Sequence, residues 1–546
     1  MGGVLAKTKS YDESYSVFKW DIPEYFNIAT AVCDRHAGSH PNQRAIIYEA
    51  ADGEIKELTF RQLQDSANRL ANVLMGLNVQ PHECIGIHLP QSLECVISHV
   101  GVYKTSAIAL PLFSLFGPDA LGHRMIDSAA RILITCSENI PHLMEIRDTL
   151  KSLEHVIVID GSGDGLIDWR DALYCASDQF ETHNTKSEDP ALLIYTSGTT
   201  GNPKGVLHAQ RVLLGHIPGV EFPHEFFPHE DDLFWTPADW AWAGGLLDVL
   251  LPSLFHRIPV LAKRFTKFQA EPVMELMARH RVRNTFMPAT ALRMLQQLED
   301  PKKFGVKLRS IASGGEALGK SIIEWGQDTF GVTINEFYGQ TEVNLVVANN
   351  AEIMAIKPGS MGLPVPGHRV AVIDTNGNEL PAGKEGLIAV HRPDPVMFLR
   401  YWNDDDATHN KFVDDWCVLG DLAHRDDDGY FWFKARDDDV INSSSYRIGP
   451  TEVEECLVLH PAIFLAGVIG SPDLVRGEIV KAYVVLSVGY TTSETLITEI
   501  QTFVRSRLSA HEYPRQVRII PEMPLTVSGK IRRVALRELD ALEHKT

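Results

Sequence analysis

Between Leu58 and Ile134 the chain switches repeatedly between two hydrophobic periods. LTFRQLQDSANRLANVLMGL spaces Leu and Ala for one face of a helix, and CIGIHL is a short apolar run suited to a buried strand. ECVISHVGVYKTSA returns to helical spacing and ARILITC to a strand. Elements that alternate in this way bury their apolar faces best as helices laid on a wound sheet, so the expected class is α/β. The pattern resumes at HVIVID, ALLIYT, RIPVLA, the helical EPVMELMARH and VRNTFMP. No internal repeat accompanies it, which argues against a solenoid.

After about Gly362 the character changes. PVPGHRVAVIDTNGNELPAGKEGLIAVHR has short β runs broken by NGN and PAGKEG turns, as in a small β subdomain. RDDDVINSSSY, from Arg436 to Tyr446, packs acids and serines into a hinge-like stretch. Beyond it TEVEECLVLHP and TLITEIQTFVRSRL read as helices, and AGVIGSP and KAYVVLS as strands. With 546 residues, more than one core is expected. The chain therefore divides into a large domain over 1–436, with the β subdomain at about 362–436, and a small α+β domain over 437–546.

Charge narrows the partners. Lys and Arg number 51 against 71 Asp and Glu, a formal net charge of -20, which disfavours nucleic acid and anionic lipid. An anionic ligand must be met by locally placed cations and backbone N–H groups. The seven cysteines are scattered with no CxxC pair, so neither a disulfide framework nor a zinc site is suggested. No apolar run approaches the ~20 residues of a membrane helix, and the N-terminus lacks a signal-peptide core. The expected setting is the cytoplasm.

YTSGTTGNPKG, from Tyr195 to Gly205, follows a strand-like run and precedes the helix-like AQRVLLGHI. Its glycines can turn several N–H groups toward one anion, and its hydroxyls add donors without bulk. It lacks the GxxxxGK[ST] spacing of a nucleotide P-loop. A surface turn and a phosphate cradle are both compatible with the loop alone.

Four further motifs follow in order: SGGEAL at 313–318, EFYGQTE at 336–342, LGDLAHRDDDGYFWFKARDDDVINSSSYRIGPTEVE at 419–454 and PLTVSGKIRR at 524–533. With the loop they resemble the adenylate-forming superfamily over nearly the whole chain, closest to the medium-chain acyl-CoA synthetases. The resemblance implies ATP-dependent activation of a carboxylic acid to an acyl-adenylate with release of pyrophosphate, then transfer to coenzyme A with release of AMP. ATP, Mg²⁺ and coenzyme A are the implied cofactor and co-substrates, and the acid is medium-chain, branched, cyclic or aryl.

Carried over residue by residue, the loop residues Thr196, Ser197, Gly198, Thr199, Thr200, Gly201 and Lys204 would clamp the β- and γ-phosphates. Gly315 and Glu316 would line the adenine site, with Tyr338 stacking on the base and Gln340 among the nucleotide contacts. Thr341 would offer its hydroxyl to the α-phosphate, and Glu342 would hold Mg²⁺ as a hard oxygen ligand. Asp421 and Arg436 would hold the ribose, and Arg447 would meet phosphate charge. Lys530 would offset the charge that builds on phosphate oxygens as the carboxylate attacks.

Relatives rotate the small domain about an acidic hinge, here Asp438, bringing in a coenzyme A tunnel at Ser444, Ser445 and Tyr446. Ser445 stands where many relatives have glycine, which implies either a rearranged tunnel or a slow second step. Gly339 stands where acetyl-CoA synthetases carry tryptophan, which implies a wider acyl pocket, with Trp242 and Gly244 on its far wall. Trp240 fits that wall and simple core packing equally.

Two decoys are set aside. HVIVIDGSGDG has Leu166 at the third glycine position of a dinucleotide fingerprint, and HEFFPHE, carrying His224 and His229, reads as a surface loop without HExxH spacing. A stand-alone enzyme that loads a carrier protein and a non-enzymatic nucleotide-binding protein are the competing readings.

Overall fold

The computed structural model describes residues 3–196, 203–316, 318–436, 439–443, 446–473, 477–508, 513–526 and 529–543. Two large mixed sheets form the body of an α/β protein with a large N-terminal and a small C-terminal domain. The wound α/β layers expected from the sequence are these two sheets. The nine-stranded sheet runs from the edge strand Leu363–Pro364 through Val343–Ala348, Ile334–Gln340, Ser310–Gly314, Asn284–Phe286, Phe234–Trp235 and Val260–Ala262 to Arg44–Glu49 and Ile55–Thr59. The eight-stranded sheet runs from Arg400–Tyr401 through Lys204–Ala209, Pro190–Thr196, Ile108–Pro111, Cys84–His88, Ile132–Thr135 and His155–Val158 to Ile167–Asp168. Both are parallel at their centres; the nine-stranded sheet ends in antiparallel strands at both edges, the eight-stranded one only at the Arg400–Tyr401 edge.

Central strands such as Cys84–His88 and Ser310–Gly314 are buried along their whole length, as strands covered by helices on both faces must be. The helical spacing read from Leu58 becomes the helix Phe60–Gly76, two residues later, because Leu58 and Thr59 end a strand and Thr59 forms a capping box with Gln62. Its buried Leu63, Ala67, Leu70 and Leu74 follow 3–4 residue spacing.

The β subdomain appears as a five-stranded antiparallel sheet spanning Val370–Ile373 to Phe431–Arg436. A second five-stranded sheet, with Ile463–Asp473 and Gly477–Leu486 as its long antiparallel pair, carries the C-terminal helices Pro450–Val458, Glu494–Arg507 and Arg533–Glu543.

Two expectations are corrected. The glycine-rich loop does not join a strand to a helix: Pro190–Thr196 and Lys204–Ala209 pair antiparallel from Pro190↔Ala209 to Thr196↔Lys204, so the loop tops a β-hairpin, and the helix begins only at Val212. HEFFPHE is not a surface loop. His224 and Phe227 are buried, His224 Nδ1 lies 2.7 Å from Ser310 Oγ, and burial pushes its imidazole well below the ordinary range. Among the described residues no group of His, Cys, Asp and Glu could hold a metal ion by itself, and no helix is long and apolar enough to cross a membrane.

Candidate active site

Parallel pairing of Ser310–Gly314 with Ile334–Gln340, in register from Ile311↔Ile334 to Gly314↔Phe337, sends both strands out at the same edge. Open α/β sheets bind ligands at this carboxyl edge. The first strand delivers Gly315 and Glu316 there, and the second delivers Tyr338 and Gln340. Gln340 pairs with Val343, so Thr341 and Glu342 form the two-residue turn of a hairpin and project from the sheet.

Asp421 is brought to the same place from the β subdomain. It is buried, and Tyr338 Oη donates to its Oδ2 at 2.5 Å while Gln340 Nε2 donates to the same oxygen at 2.7 Å. Burial raises the Asp421 carboxyl above its ordinary range, and the hydrogen bond from Tyr338 works against that rise. Burial likewise holds the Tyr338 phenol well above its ordinary value, next to the Asp421 charge. Arg436 faces Asp421 across the neighbouring strand pair, its Nε 3.8 Å from Asp421 Oδ1.

A polar chain continues from Gln340 to Glu342. Lys411 Nζ lies 3.4 Å from Gln340 Oε1 and 3.8 Å from Glu342 Oε1, and Tyr401 Oη donates to Glu342 Oε1. Lys411 and Tyr401 escape a reading of the sequence, since HNKFVDDW and FLRYWN carry no pattern that marks them.

Lys530 reaches this cluster from the C-terminal domain. Its loop is closed by the Leu525↔Ile531 bridge, and Lys530 N donates to Thr526 Oγ1 at 2.9 Å. The side chain rests on Gly315: a Cβ built there would lie 2.9 Å from Lys530 Cε and 3.3 Å from Nζ. Gly315 has φ +91°, so both its backbone and its contact call for glycine. Thr290 Oγ1 lies 3.2 Å from both Glu316 Oε2 and the carbonyl of Gly529, which fastens the lysine loop to the Gly315–Glu316 segment. Arg293 also reaches Glu316 Oε2 at 3.3 Å. Crowding by protein lowers the Lys530 ammonium from its ordinary value, Glu316 and Asp421 oppose the shift, and Arg436 adds to it.

Thr196 closes the base of the glycine-rich hairpin opposite Lys204. Lys204 Nζ pairs with Asp404 Oδ2 at 3.1 Å and lies over the Tyr401 ring at 5.4 Å. Ser197, Gly198, Thr199, Thr200, Gly201, Asp438, Ser444 and Ser445 lie outside the described residues. Tyr446 and Arg447 have backbone in the strand Tyr446–Ile448, paired with Ser443 and Asn442.

The residues expected on the acyl side pack in two clusters. Trp240 is fully buried in the central core cluster that also holds Phe286 and Phe337. Trp242 packs against Phe113 and Phe116 at ring distances of 5.8 and 6.1 Å in a different cluster. Gly244 abuts the Phe286 ring, whose centroid lies 5.4 Å from that of Phe337. Gly339 is corrected. A Cβ there would lie 2.3 Å from the backbone nitrogen of Leu345, opposite a bulge at which Leu345 takes φ +55°. Its missing side chain makes room for the neighbouring strand and not for an acyl group.

Residues 33–402 match the family of AMP-binding enzymes, and residues 452–530 match the AMP-binding enzyme C-terminal domain. The acetyl-coenzyme A synthetase of Bacillus subtilis is 35% identical over 97% of this chain and 95% of its own length. The human mitochondrial acyl-coenzyme A synthetase ACSM5 is 35% identical over 96% of this chain and 92% of its own. Among solved structures, the anthranilate CoA ligase AuaEII in complex with anthranoyl-AMP superposes with a TM-score of 0.89 at 29% identity, covering 96% of this chain and 99% of that one.

Proposed function

Because the chain belongs to the family of AMP-binding enzymes, we infer its residue roles from the chemistry of an AMP-forming carboxylate–CoA ligase. The enzyme activates a carboxylic acid with ATP and passes the acyl group to coenzyme A. In the first step a carboxylate oxygen attacks the α-phosphorus, the α–β phosphoanhydride bond breaks, and pyrophosphate leaves with the electron pair. In the second the coenzyme A sulfur attacks the acyl carbonyl, loses its proton, and AMP departs.

The observation that carries the assignment of roles is Lys530 resting on Gly315 beside Asp421 and Glu316. This is a cation delivered from a separate domain to the edge where the nucleotide residues converge. There it offsets the negative charge that grows on the α-phosphate oxygens. Asp421, aligned by Tyr338 and Gln340, accepts from the ribose hydroxyls, and Arg436 flanks it. Thr341, at the tip of its hairpin, donates to the α-phosphate. The loop over 195–205 holds the β- and γ-phosphates, and Arg447 meets phosphate charge.

Glu342 fits a Mg²⁺ ion carried in on the nucleotide. It is a single carboxylate beside Thr341, with one oxygen committed to Tyr401, which suits an ion that takes one protein ligand together with phosphate oxygens and water. Bound there, the ion would neutralise phosphate charge.

Lys530 resting on Gly315, with the Asp421 charge acting on it, supports the adenylating arrangement. We place the hinge at Asp438, between a large domain over 1–436 and a small one over 437–546, with Ser444, Ser445 and Tyr446 turning in for the coenzyme A step. The Trp240–Phe286–Phe337 cluster supports an apolar acid, of medium chain or aryl, and the reaction belongs to the cytoplasm.

The test is acid-dependent ATP–pyrophosphate exchange over acetate, butyrate, hexanoate, octanoate, benzoate and anthranilate, each with and without coenzyme A. Exchange with an apolar acid, lost by orders of magnitude in Lys530→Ala, is the expected result. Exchange with acetate alone removes the apolar-acid reading, and an unaffected Lys530→Ala removes the lysine.

A further inference from the structure

We propose that the helix Pro118–Asp127 is the brace of the phosphate loop, and that His123 is a positioning residue for the adenylation half-reaction. The helix carries none of the five motifs, yet it holds both legs of the hairpin on which the loop sits. On the outgoing leg, His123 Nε2 lies 3.0 Å from the carbonyl of Pro203. A carbonyl only accepts, so this nitrogen carries the proton. On the incoming leg, the His123 ring meets Tyr195 edge-on at 6.0 Å and 80°. Asp127, one turn further along the same helix face, accepts from Tyr195 Oη at 2.5 Å.

The helix is itself held. The carbonyl of Asp127 accepts from Trp402 Nε1 at 3.1 Å and from Asn403 Nδ2 at 2.9 Å. The Arg124 guanidinium lies 4.1 Å from the Phe116 ring centroid and 5.8 Å from that of Tyr195, and burial pushes it down to about 10. Tyr195 and Pro203 are thereby tied to one rigid element.

The need for such a brace is physical. Ordering glycine-rich backbone costs entropy, and pyrophosphate can leave in line with the attacking carboxylate only if the residues that hold it are already in place. Hydrogen bonds that fix the loop's ends reduce the ordering required when ATP binds. The second half-reaction starts from acyl-adenylate, which has no β- or γ-phosphate, so it does not use the brace. The proposal rests on reading the 195–205 loop as the holder of those phosphates.

The experiment compares wild type with His123→Ala, His123→Gln and the loop variant Thr200→Val, using the panel acid that exchanges fastest. Two rates are read: ATP–pyrophosphate exchange at varied ATP, and acyl-CoA formation from preformed acyl-adenylate. His123→Ala is expected to raise the KM for ATP about tenfold, the effect of losing one hydrogen bond, and to leave the preformed-adenylate reaction within about twofold of wild type. His123→Gln, which keeps a donor, recovers most of the loss.

An equal fall in both half-reactions overturns the proposal in favour of a general folding role. An unchanged KM for ATP in His123→Ala, or a glutamine variant no better than alanine, also overturns it. If Thr200→Val raises the KM for ATP while His123→Ala does not, the brace fails and the loop reading stands. If neither variant changes it, the loop reading itself fails.

Discussion

Tyr338 and Gln340, two residues apart on one strand, converge on a single oxygen of Asp421, at 2.5 and 2.7 Å. A buried carboxylate that spends one oxygen on internal donors keeps the other for a ligand, here facing Arg436. Tyr338→Phe removes one internal donor and keeps the ring. The expected outcome is a rise of about tenfold in the KM for ATP, from the loss of ~1.5 kcal/mol of charge-assisted hydrogen bonding, with the KM for the acid unchanged. Steady-state exchange kinetics at varied ATP and varied acid decide it.

Gly315→Ala introduces a Cβ at φ +91° and only 2.9 Å from Lys530 Cε. Backbone strain of ~1–3 kcal/mol and displacement of the lysine both act on adenylation. Pyrophosphate exchange is expected to slow by roughly 10- to 100-fold on that strain alone. Acyl-CoA formation from preformed acyl-adenylate should be spared, and equal loss of both would assign Gly315 to folding.

Gly339→Trp is expected to destabilise the protein and not to redirect it toward acetate. The added side chain meets the backbone of Leu345 at 2.3 Å, so the hairpin that carries Thr341 and Glu342 must shift. Overpacking of this kind costs ~1–3 kcal/mol or more. A lower Tm together with a proportionate loss of activity on every panel acid is the expected pattern. A stable variant that prefers acetate would restore an acyl-pocket role.

Glu342→Gln keeps an acceptor for Tyr401 and removes the charge. The Mg²⁺ concentration that half-saturates exchange is expected to rise roughly tenfold, the cost of about 1.4 kcal/mol when one charged ligand is lost. A magnesium titration at saturating ATP checks this, and an unchanged midpoint removes Glu342 as a ligand.

Burial lifts the Asp239 carboxyl from 3.8 to about 7, against a hydrogen bond that its Oδ1 accepts from Ala241 N at 2.8 Å. The folded protein therefore keeps a proton that the unfolded chain releases near its ordinary value. The associated stability is full below about pH 4 and is lost as pH rises through about 7. Asp239→Asn stays neutral throughout. Its Tm should match wild type near pH 4 and exceed it by ~2 °C or more at pH 8. A constant difference between the two across that range would refute the linkage.

The residues that a motif carries were the legible ones. Tyr338, Gln340, Asp421, Gly315 and Lys530 come together from four separate stretches of the sequence: two at one sheet edge, a strand of the β subdomain and a loop of the C-terminal domain. Lys411, Tyr401 and His123 were not legible. Their partners lie far away in the chain, and nothing in their local pattern differs from an ordinary surface segment. The strand Lys204–Ala209 was missed because its apolar residues run straight into those of the following helix, which blurs the change of period. Gly339 misled because the reason for a glycine, here a backbone passing close by, appears only in three dimensions.

The placement of Arg44–Glu49 beside Val260–Ala262 bears on how the protein is made. Ile46 pairs with Val260, so an apolar strand leaves the ribosome long before the strand that covers its edge. Until then it is an open edge able to join other chains. The partner at Ile55–Thr59, available at once, covers only one side. Slow translation or chaperone shortage should therefore trap the nascent chain in aggregates through this N-terminal strand, whatever the stability of the finished enzyme.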